Sequence, residues 1–461
     1  MLAWQSIVLT AGPPSAAEAD LLLRRVAGLS VLGRLVKNAA FGGARRLHLV
    51  IGPGGQALAA EARAHWPRPD GLLVHEVPAG ASELEALRAT GPAGDEAAVV
   101  QFADVAYSRN LLQALIQEGP GEAQAVEAVL EPEYLAEDAF HAQRADGSRF
   151  AGLVLLAPGA LDALDGGAPS LAEALDSGAR TGRLRVARRP LRNSFVLRLR
   201  EPEDLDRAEA LHVRHLRRNT DGIVSRWLNR PVSLFLTRRL FLRTPLSPNA
   251  ITFLAGAIGW AAIALMFAWP GYGWVLLGAF LFHVSSVLDG CDGEVARLRF
   301  QFSRFGEWFD NVLDEVNNTA FIAGVGVGLW RHGAHEIYAW AAAFHVLAVA
   351  TCDSATFFQL IRWRGGTGNI DKYRWFFQPE QKLAPGDPTA YPPRRSLFGW
   401  IQELPRRDLY IFLLFVLAIF DVLFVGFWIA VGAGAILFAL SLLQWAWQIG
   451  EDRRRRAVAA G

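Results

Sequence analysis

Six apolar runs crowd the second half of this chain, at about 250–269, 272–288, 316–330, 337–361, 409–425 and 426–448. Stretches of roughly 17–25 apolar residues are what an α-helix needs to cross a bilayer, where every backbone polar group must be bonded internally. The third run reaches that length only if it extends back through Gly306, with its acidic residues turned to the protein interior. Between residues 1 and 215 there is no comparable run. The overall figures, 52% hydrophobic and 20% charged over 461 residues, are thus the average of two unlike parts. The expected organisation is an α/β soluble domain at 1–215, an amphipathic interfacial segment at 216–247, rich in arginine and in aromatic and aliphatic residues, and an all-α six-helix transmembrane domain at 248–450.

Basic residues orient such a bundle. The connection at 270–273 carries no charge, and the one at 331–336 carries Arg331 and Glu336. The 362–407 connection holds nine Lys and Arg, among them Lys382, Arg394, Arg395, Arg406 and Arg407, and the tail contains Arg453–Arg456. The expectation is a multi-pass protein of the cell inner membrane or plasma membrane. Both termini, the 297–304 loop and the 362–407 loop then face the cytoplasm, and no signal peptide precedes the N-terminal domain. Forty-six Lys and Arg against forty-five Asp and Glu, a net charge of +1, argue against nucleic acid as a partner. Two cysteines, Cys291 and Cys352, build neither a disulfide framework nor a zinc site alone.

In the first part, short apolar runs alternate with helical patterns. Strands are expected at Ser6–Leu9, Leu47–Ile51, Leu72–Val77 and Ala97–Phe102, with one helix carrying Leu22, Val26, Leu29, Leu32 and Val36. That alternation implies a parallel-type sheet, whose ligands sit at the carboxyl ends of strands, here near Gly12 and Asp104.

One segment concentrates the chemistry. Asp289-Gly290-Cys291-Asp292-Gly293-Glu294-Val295-Ala296-Arg297 is followed by Gly306, Asp310 and Asp314. Asp289 and Asp292 are three apart and Asp310 and Asp314 four apart, so each pair projects from one helical face. A short loop folds the two helices antiparallel and lets the faces meet. Four converging carboxylates repel unless a cation neutralises them, and hard oxygen ligands favour Mg²⁺, Mn²⁺ or Ca²⁺ over zinc. Gly293 and Gly306 clear room for close approach, and Arg297 stands about two turns beyond Asp289, where it can clamp phosphate. The bland alternative is a pair of solvated helix ends. Carboxylates inside a membrane bundle argue against it, since they are functional by default.

The pattern D-x2-D-G-x2-A-R-x8-G-x3-D-x3-D resembles the signature of the CDP-alcohol phosphotransferases at every fixed position. The resemblance extends to Thr220-Asp221-Gly222, to Pro245-Leu246-Ser247-Pro248-Asn249 and to the six-span layout. It implies transfer of a substituted phosphate from a CDP-alcohol donor to an acceptor alcohol or alcohol phosphate, with release of CMP, as in phospholipid or phosphodiester synthesis. It further implies Mg²⁺ (or Mn²⁺) held by Asp289, Asp292, Asp310 and Asp314, with Asp314 also the catalytic base. Asp289, Asp292, Gly293, Ala296, Arg297 and Asn249 become substrate-binding positions, membrane lipids become partners, and the assembly becomes a homodimer.

The first part resembles the nucleotidyltransferase-like domains of bifunctional inositol-phosphate cytidylyltransferase/phosphodiester synthases. Ile7–Gly12 stands where their glycine-rich loop begins, Asp104 where they place a metal-binding aspartate, and Leu199–Leu205 where the domain closes. Two departures imply that catalysis has been lost there. Pro13 and Pro14 remove backbone donors from the loop, and Arg200 stands where a second aspartate is expected. Two other functions compete: a bifunctional enzyme with an active cytidylyltransferase domain, and a cation transporter that uses the carboxylates as a pathway.

Overall fold

Runs of apolar residues long enough to be buried on both faces build the centre of the first part. The computed structural model describes residues 3–10, 16–91, 95–130, 149–190, 194–217, 221–368, 372–377 and 406–460. Gly12, Pro13, Pro14, Thr220, Lys382, Arg394 and Arg395 lie outside them. The chain divides into two units, Met1–Leu216 and Arg217–Gly461.

In the first unit β1 (Trp4–Leu9), β4 (Leu47–Ile51) and β6 (Ala97–Phe102) are buried along their whole length. They form the middle of a seven-stranded sheet. Beside them lie β5 (Leu72–Glu76), β8 (Ala125–Leu130), β9 (Arg149–Leu156) and β10 (Val186–Pro190), in the order β10-β8-β9-β6-β1-β4-β5. Strands β6, β1, β4 and β5 are parallel to one another. The sheet is nevertheless mixed rather than parallel throughout, because β9 runs antiparallel to both β6 and β8. Strands β8 and β9 are consecutive in the chain, and consecutive strands that pair directly need no crossover helix. A two-stranded ribbon, β7 (Val105–Tyr107) with β11 (Val196–Arg198), carries the segment after β6.

The single helix expected at residues 22–40 is two helices, α1 (Ala16–Leu23) and α2 (Val31–Phe41). A hairpin of β2 (Arg25–Val26) and β3 (Leu29–Ser30) separates them. The turn residues Ala27 and Gly28 take φ of 50° and 88°, which breaks the helix. The buried Arg34 guanidinium donates to the carbonyls of Val26 and Ala27 at 2.6 and 3.0 Å and holds the hairpin. Ser30 then caps α2 by accepting from the Gly33 amide at 2.9 Å. Helices α3 (Gln56–His65), α4 (Glu83–Arg88), α5 (Arg109–Glu118), α6 (Leu171–Arg180) and α7 (Pro202–Arg214) complete the unit.

The second unit opens on a π-turn, Ser225–Asn229, running into α8 (Arg230–Arg239). Trp227, Leu228, Val232 and Phe235 are exposed on this segment, whereas Ser233 and Thr237 are buried. The polar side faces the protein and the apolar side faces out, as in a helix resting in a membrane surface. Among the described residues six longer helices follow: α9 (Pro248–Ala268), α10 (Tyr272–Arg299), α11 (Arg304–Arg331), α12 (Ile337–Trp363), α13 (Arg407–Ile419) and α14 (Leu423–Ala460).

Among the described residues four of these, α9, α10, α12 and α14, are long and apolar enough to cross a membrane. The other two expected spans do not reach that standard. Helix α11 carries Arg304, Glu307, Asp310, Asp314 and Glu315 in its first half. Helix α13 has 13 residues, so it is about 20 Å long against a hydrocarbon core of about 30 Å. The break before α14 falls at Asp421, in the left-handed region at φ 56°, rather than at 425–426.

Caps and close contacts register the bundle. Ser247 caps α9 ahead of Pro248, and Ser303 caps α11 by accepting from the Gly306 amide at 2.8 Å. Helices α9 and α11 pack closely at Gly328, where a Cβ would collide with the Met266 carbonyl. Stacked Phe282 and Phe321, with ring centres 4.1 Å apart, lie in the apolar core of this unit.

Candidate active site

Helix α10 brings Asp289 and Asp292 to one side of the bundle, and α11 begins four residues after Phe300 and returns Asp310 and Asp314 to it. Oxygens of Asp289, Asp292 and Asp310 all lie within 4.8 Å of one another. Thr252 of α9 donates its hydroxyl to Asp292, which also accepts from the Gly293 amide. Asp310 keeps one buried carboxylate oxygen, Oδ1, with no hydrogen-bond partner. An all-oxygen cluster with an unsatisfied buried acceptor fits a hard divalent cation, and the metal expected from the sequence is consistent with these residues.

Asp314 stands outside that group of three. It pairs with the Arg407 guanidinium, whose Nη2 also lies 3.3 Å from Asp289 Oδ2. Arg407 thus bridges the aspartates of α10 and α11 from the first turn of α13. The sequence reading assigned the arginines near 407 to membrane orientation and missed this contact. A usable signal was present: Arg406 and Arg407 sit at the N-terminal end of a helix, where the macrodipole disfavours cations.

Two cavities flank the cluster. One, of about 420 Å³, is lined by Asn249, Gly293, Ala296, Arg297, Gly306 and the two aspartates Asp292 and Asp310. Every substrate-binding position read from the sequence except Asp289 lies on its wall. Glycine at 306 matters here, since a Cβ would come 2.7 Å from the Asn249 Oδ1. The other, of about 480 Å³, is lined by Asp221, Arg230, Asp289, Gly290, Arg406 and Arg407 among others. A second residue missed by the sequence reading stands behind it. Glu294, inside the signature but at a variable position, is fully buried and bonded to Arg230, Ser233 and Thr237.

In the first unit, Leu9 of β1 lies opposite Phe102 of β6, so the segments leaving both strands start side by side. Asp104 follows β6 directly. Its Oδ2 is 2.8 Å from the Nε of Arg198, an ion pair that sets a guanidinium against the carboxylate expected to hold metal. The sequence has Arg200 where a second metal-binding aspartate is expected. In the structure the residue reaching Asp104 is Arg198, while the Arg200 amide donates to Asp204 at 2.9 Å.

Residues 245–374 match the family model of the CDP-alcohol phosphatidyltransferases. Similar curated proteins are named bifunctional IPC transferase and DIPP synthase. That of Aquifex aeolicus is 33% identical over 136 residues, covering 29% of this chain and 30% of the relative. That of Thermococcus kodakarensis is 36% identical over 124 residues, covering 26% and 27%. That of Rubrobacter xylanophilus is 33% identical over 169 residues, covering 37% and 36%. The matched stretch is therefore between 27% and 36% of each relative's length. Among solved structures, the inositol-1-phosphate CTP transferase from T. maritima aligns with 46% of this chain and 94% of its own, at 15% identity and a TM-score of 0.37.

Proposed function

We propose that this chain is an integral membrane CDP-alcohol phosphotransferase, moving a substituted phosphate from a CDP-alcohol to an acceptor alcohol or alcohol phosphate with release of CMP. The observation that carries the reading is the convergence of Asp289, Asp292 and Asp310 beside a cavity walled by the remaining signature residues. Asn249, Gly293, Ala296 and Arg297 take the CDP moiety in the 420 Å³ cavity, with Arg297 on phosphate. The 480 Å³ cavity, lined by Arg230, Arg406 and Arg407, takes the acceptor, and its guanidinium groups suit an acceptor that carries a phosphate.

Asp289, Asp292 and Asp310 would hold Mg²⁺ or Mn²⁺, and Asp314, paired here with Arg407, would be within reach to join them. When bound, the cation neutralises the pyrophosphate and stabilises the departing CMP. Asp314 takes the proton of the acceptor hydroxyl as that oxygen attacks the phosphorus bearing the donor alcohol. The bond from this phosphorus to the bridging oxygen breaks, CMP carries away the bond's electron pair, and a phosphodiester remains. The chemistry takes place on the cytoplasmic face of the inner or plasma membrane, the chain works as a homodimer, and the exposed apolar residues of α8 rest among membrane lipids.

A second reading draws on the bifunctional names of the relatives, which favour a working cytidylyltransferase in the first unit. The Arg198–Asp104 pair counts against it. A cation transporter would leave the glycines and Arg297 around the 420 Å³ cavity without a task.

The test is mass spectrometry of products from the purified protein given candidate CDP-alcohols and acceptors, CDP-inositol and inositol phosphate included. Asp314→Asn is expected to abolish product while leaving metal-dependent CDP-alcohol binding largely intact. Full activity in that variant would remove Asp314 as base. No metal-dependent binding of any CDP-alcohol to the unmodified protein would sink the phosphotransferase reading.

A further inference from the structure

We infer that Glu294 is a positioning residue for the acceptor: through Arg230 and Asp221 it fixes α8 as the wall of the cavity beside Asp289. The inference rests on the phosphotransferase reading above.

Glu294 follows Asp289 by five residues, which turns it about 140° around α10, away from the metal-facing side and toward α8. Its side chain is wholly buried. Both carboxylate oxygens are nonetheless satisfied. Oε1 accepts from Arg230 Nη1 at 2.8 Å and from the Ser233 hydroxyl at 2.7 Å, and Oε2 accepts from the Thr237 hydroxyl at 2.7 Å. The other side of the Arg230 fork is bidentate: Nε and Nη2 donate to the two oxygens of Asp221 at 3.2 Å each. Burial lowers the Arg230 pKa, and the flanking Asp221 and Glu294 more than reverse this, so the guanidinium stays charged. A carboxylate on each side fixes its plane. Buried ion pairs seldom stabilise a fold more than apolar pairs of similar volume, so what such a chain supplies is a set geometry.

That geometry acts on one side of the aspartate cluster. A Cβ on Gly290 would lie 3.8 Å from both Arg230 Nη1 and Ser233, so α8 rests directly on the turn that carries Asp289. Asp221, Arg230 and Ser233 line the Asp289-side cavity, and none of them lines the cavity of Asn249 and Arg297. Loosening the Asp221–Arg230–Glu294 chain therefore disturbs the acceptor pocket and spares the donor pocket. Loss of bundle integrity would disturb both.

The experiment uses the full chain in detergent with Mg²⁺, varying CDP-inositol and inositol phosphate separately, in Glu294→Gln and Arg230→Lys. The first keeps the volume but drops the charge and one of the two acceptor oxygens. The second keeps the charge but loses the fork. The expected result in both is an acceptor KM raised about tenfold, the weight of one charge-assisted hydrogen bond, with donor KM moved less than about twofold. Calorimetric binding of inositol phosphate in the presence of CMP should weaken by the same factor, and it needs no turnover. If Glu294→Gln is not monodisperse, Arg230→Lys carries the test. Donor and acceptor constants that worsen together, or acceptor binding unchanged in Arg230→Lys, would overturn the inference. Absence of transfer by the unmodified protein would count instead against the phosphotransferase reading, and acceptor binding would still decide the role of Glu294.

Discussion

Replacing Arg407 by Gln removes the cation that bridges Asp289 and Asp314. At 3.3 Å and an effective dielectric of about 20, the attraction between Arg407 and Asp289 is about 5 kcal/mol. Desolvation and ordering of the three side chains offset most of this. A net loss of about 1–2 kcal/mol in the metal-free protein remains. If Arg407 and the metal compete for the same oxygens, that loss reappears as tighter metal binding, about tenfold per 1.4 kcal/mol. The assay is thermal unfolding of the full chain in chelator and in saturating Mg²⁺, with calorimetry of metal binding. Arg407→Gln should melt earlier than the unmodified protein in chelator, approach it in Mg²⁺, and bind the metal more tightly. An equal loss of stability with and without metal, at unchanged affinity, would refute competition and make Arg407 a permanent strut.

Two further outcomes are expected. The protein should release no pyrophosphate from CTP, Mg²⁺ and a panel of alcohol phosphates that includes inositol phosphate, because Arg198 is paired with Asp104. Steady release that disappears in Asp104→Ala would show the first unit to be active. Burial first, then the charges of His75 and Arg46, hold the His48 pKa down at about 4 against an ordinary 6.5. His48 Nδ1 lies 3.1 Å from His75 Nε2, and its Nε2 lies 3.1 Å from Gln5 Oε1. A depressed pKa means stability that is complete above about 6.5 and lost as pH falls toward 4. Hydrogen-exchange protection of β4 should therefore fall over that window, after correction for intrinsic rates, and constant protection would contradict the assignment.

The central strands were legible because burial on both faces demands unbroken apolar runs, as at Ser6–Leu9 and Ala97–Phe102. The hairpin at Arg25–Ser30 was hidden because Leu22, Val26 and Leu29 fall at helical spacing, although Gly28 marked the turn. The direction of β9 depends on which strands pair, and periodicity within a strand holds no record of its partner. Within the site, the aspartates were readable because their spacing is local to two helices. Arg407 was not, because its distance to Asp314 along the chain says nothing of their approach in space. Glu294 escaped notice for the opposite reason: it sits inside the signature, yet its partners are on α8. The expected spans at α11 and α13 fell short because hydropathy counts apolar residues in a window, and the charges of α11 and the early end of α13 weaken that count.

The bridge made by Arg407 also bears on biogenesis. Synthesis runs from the N-terminus, so α10 and α11 leave the ribosome well before Arg407 exists. Each bare charge placed at mid-bilayer costs about 2.5–3.5 kcal/mol on insertion scales, and the first half of α11 holds several. A half-helix with that many charges inserts less readily on its own than the apolar helices around it. A polypeptide ending before residue 406 would lack the guanidinium that Asp289 and Asp314 share in the complete fold, and both carboxylates would have to be balanced by metal or water instead.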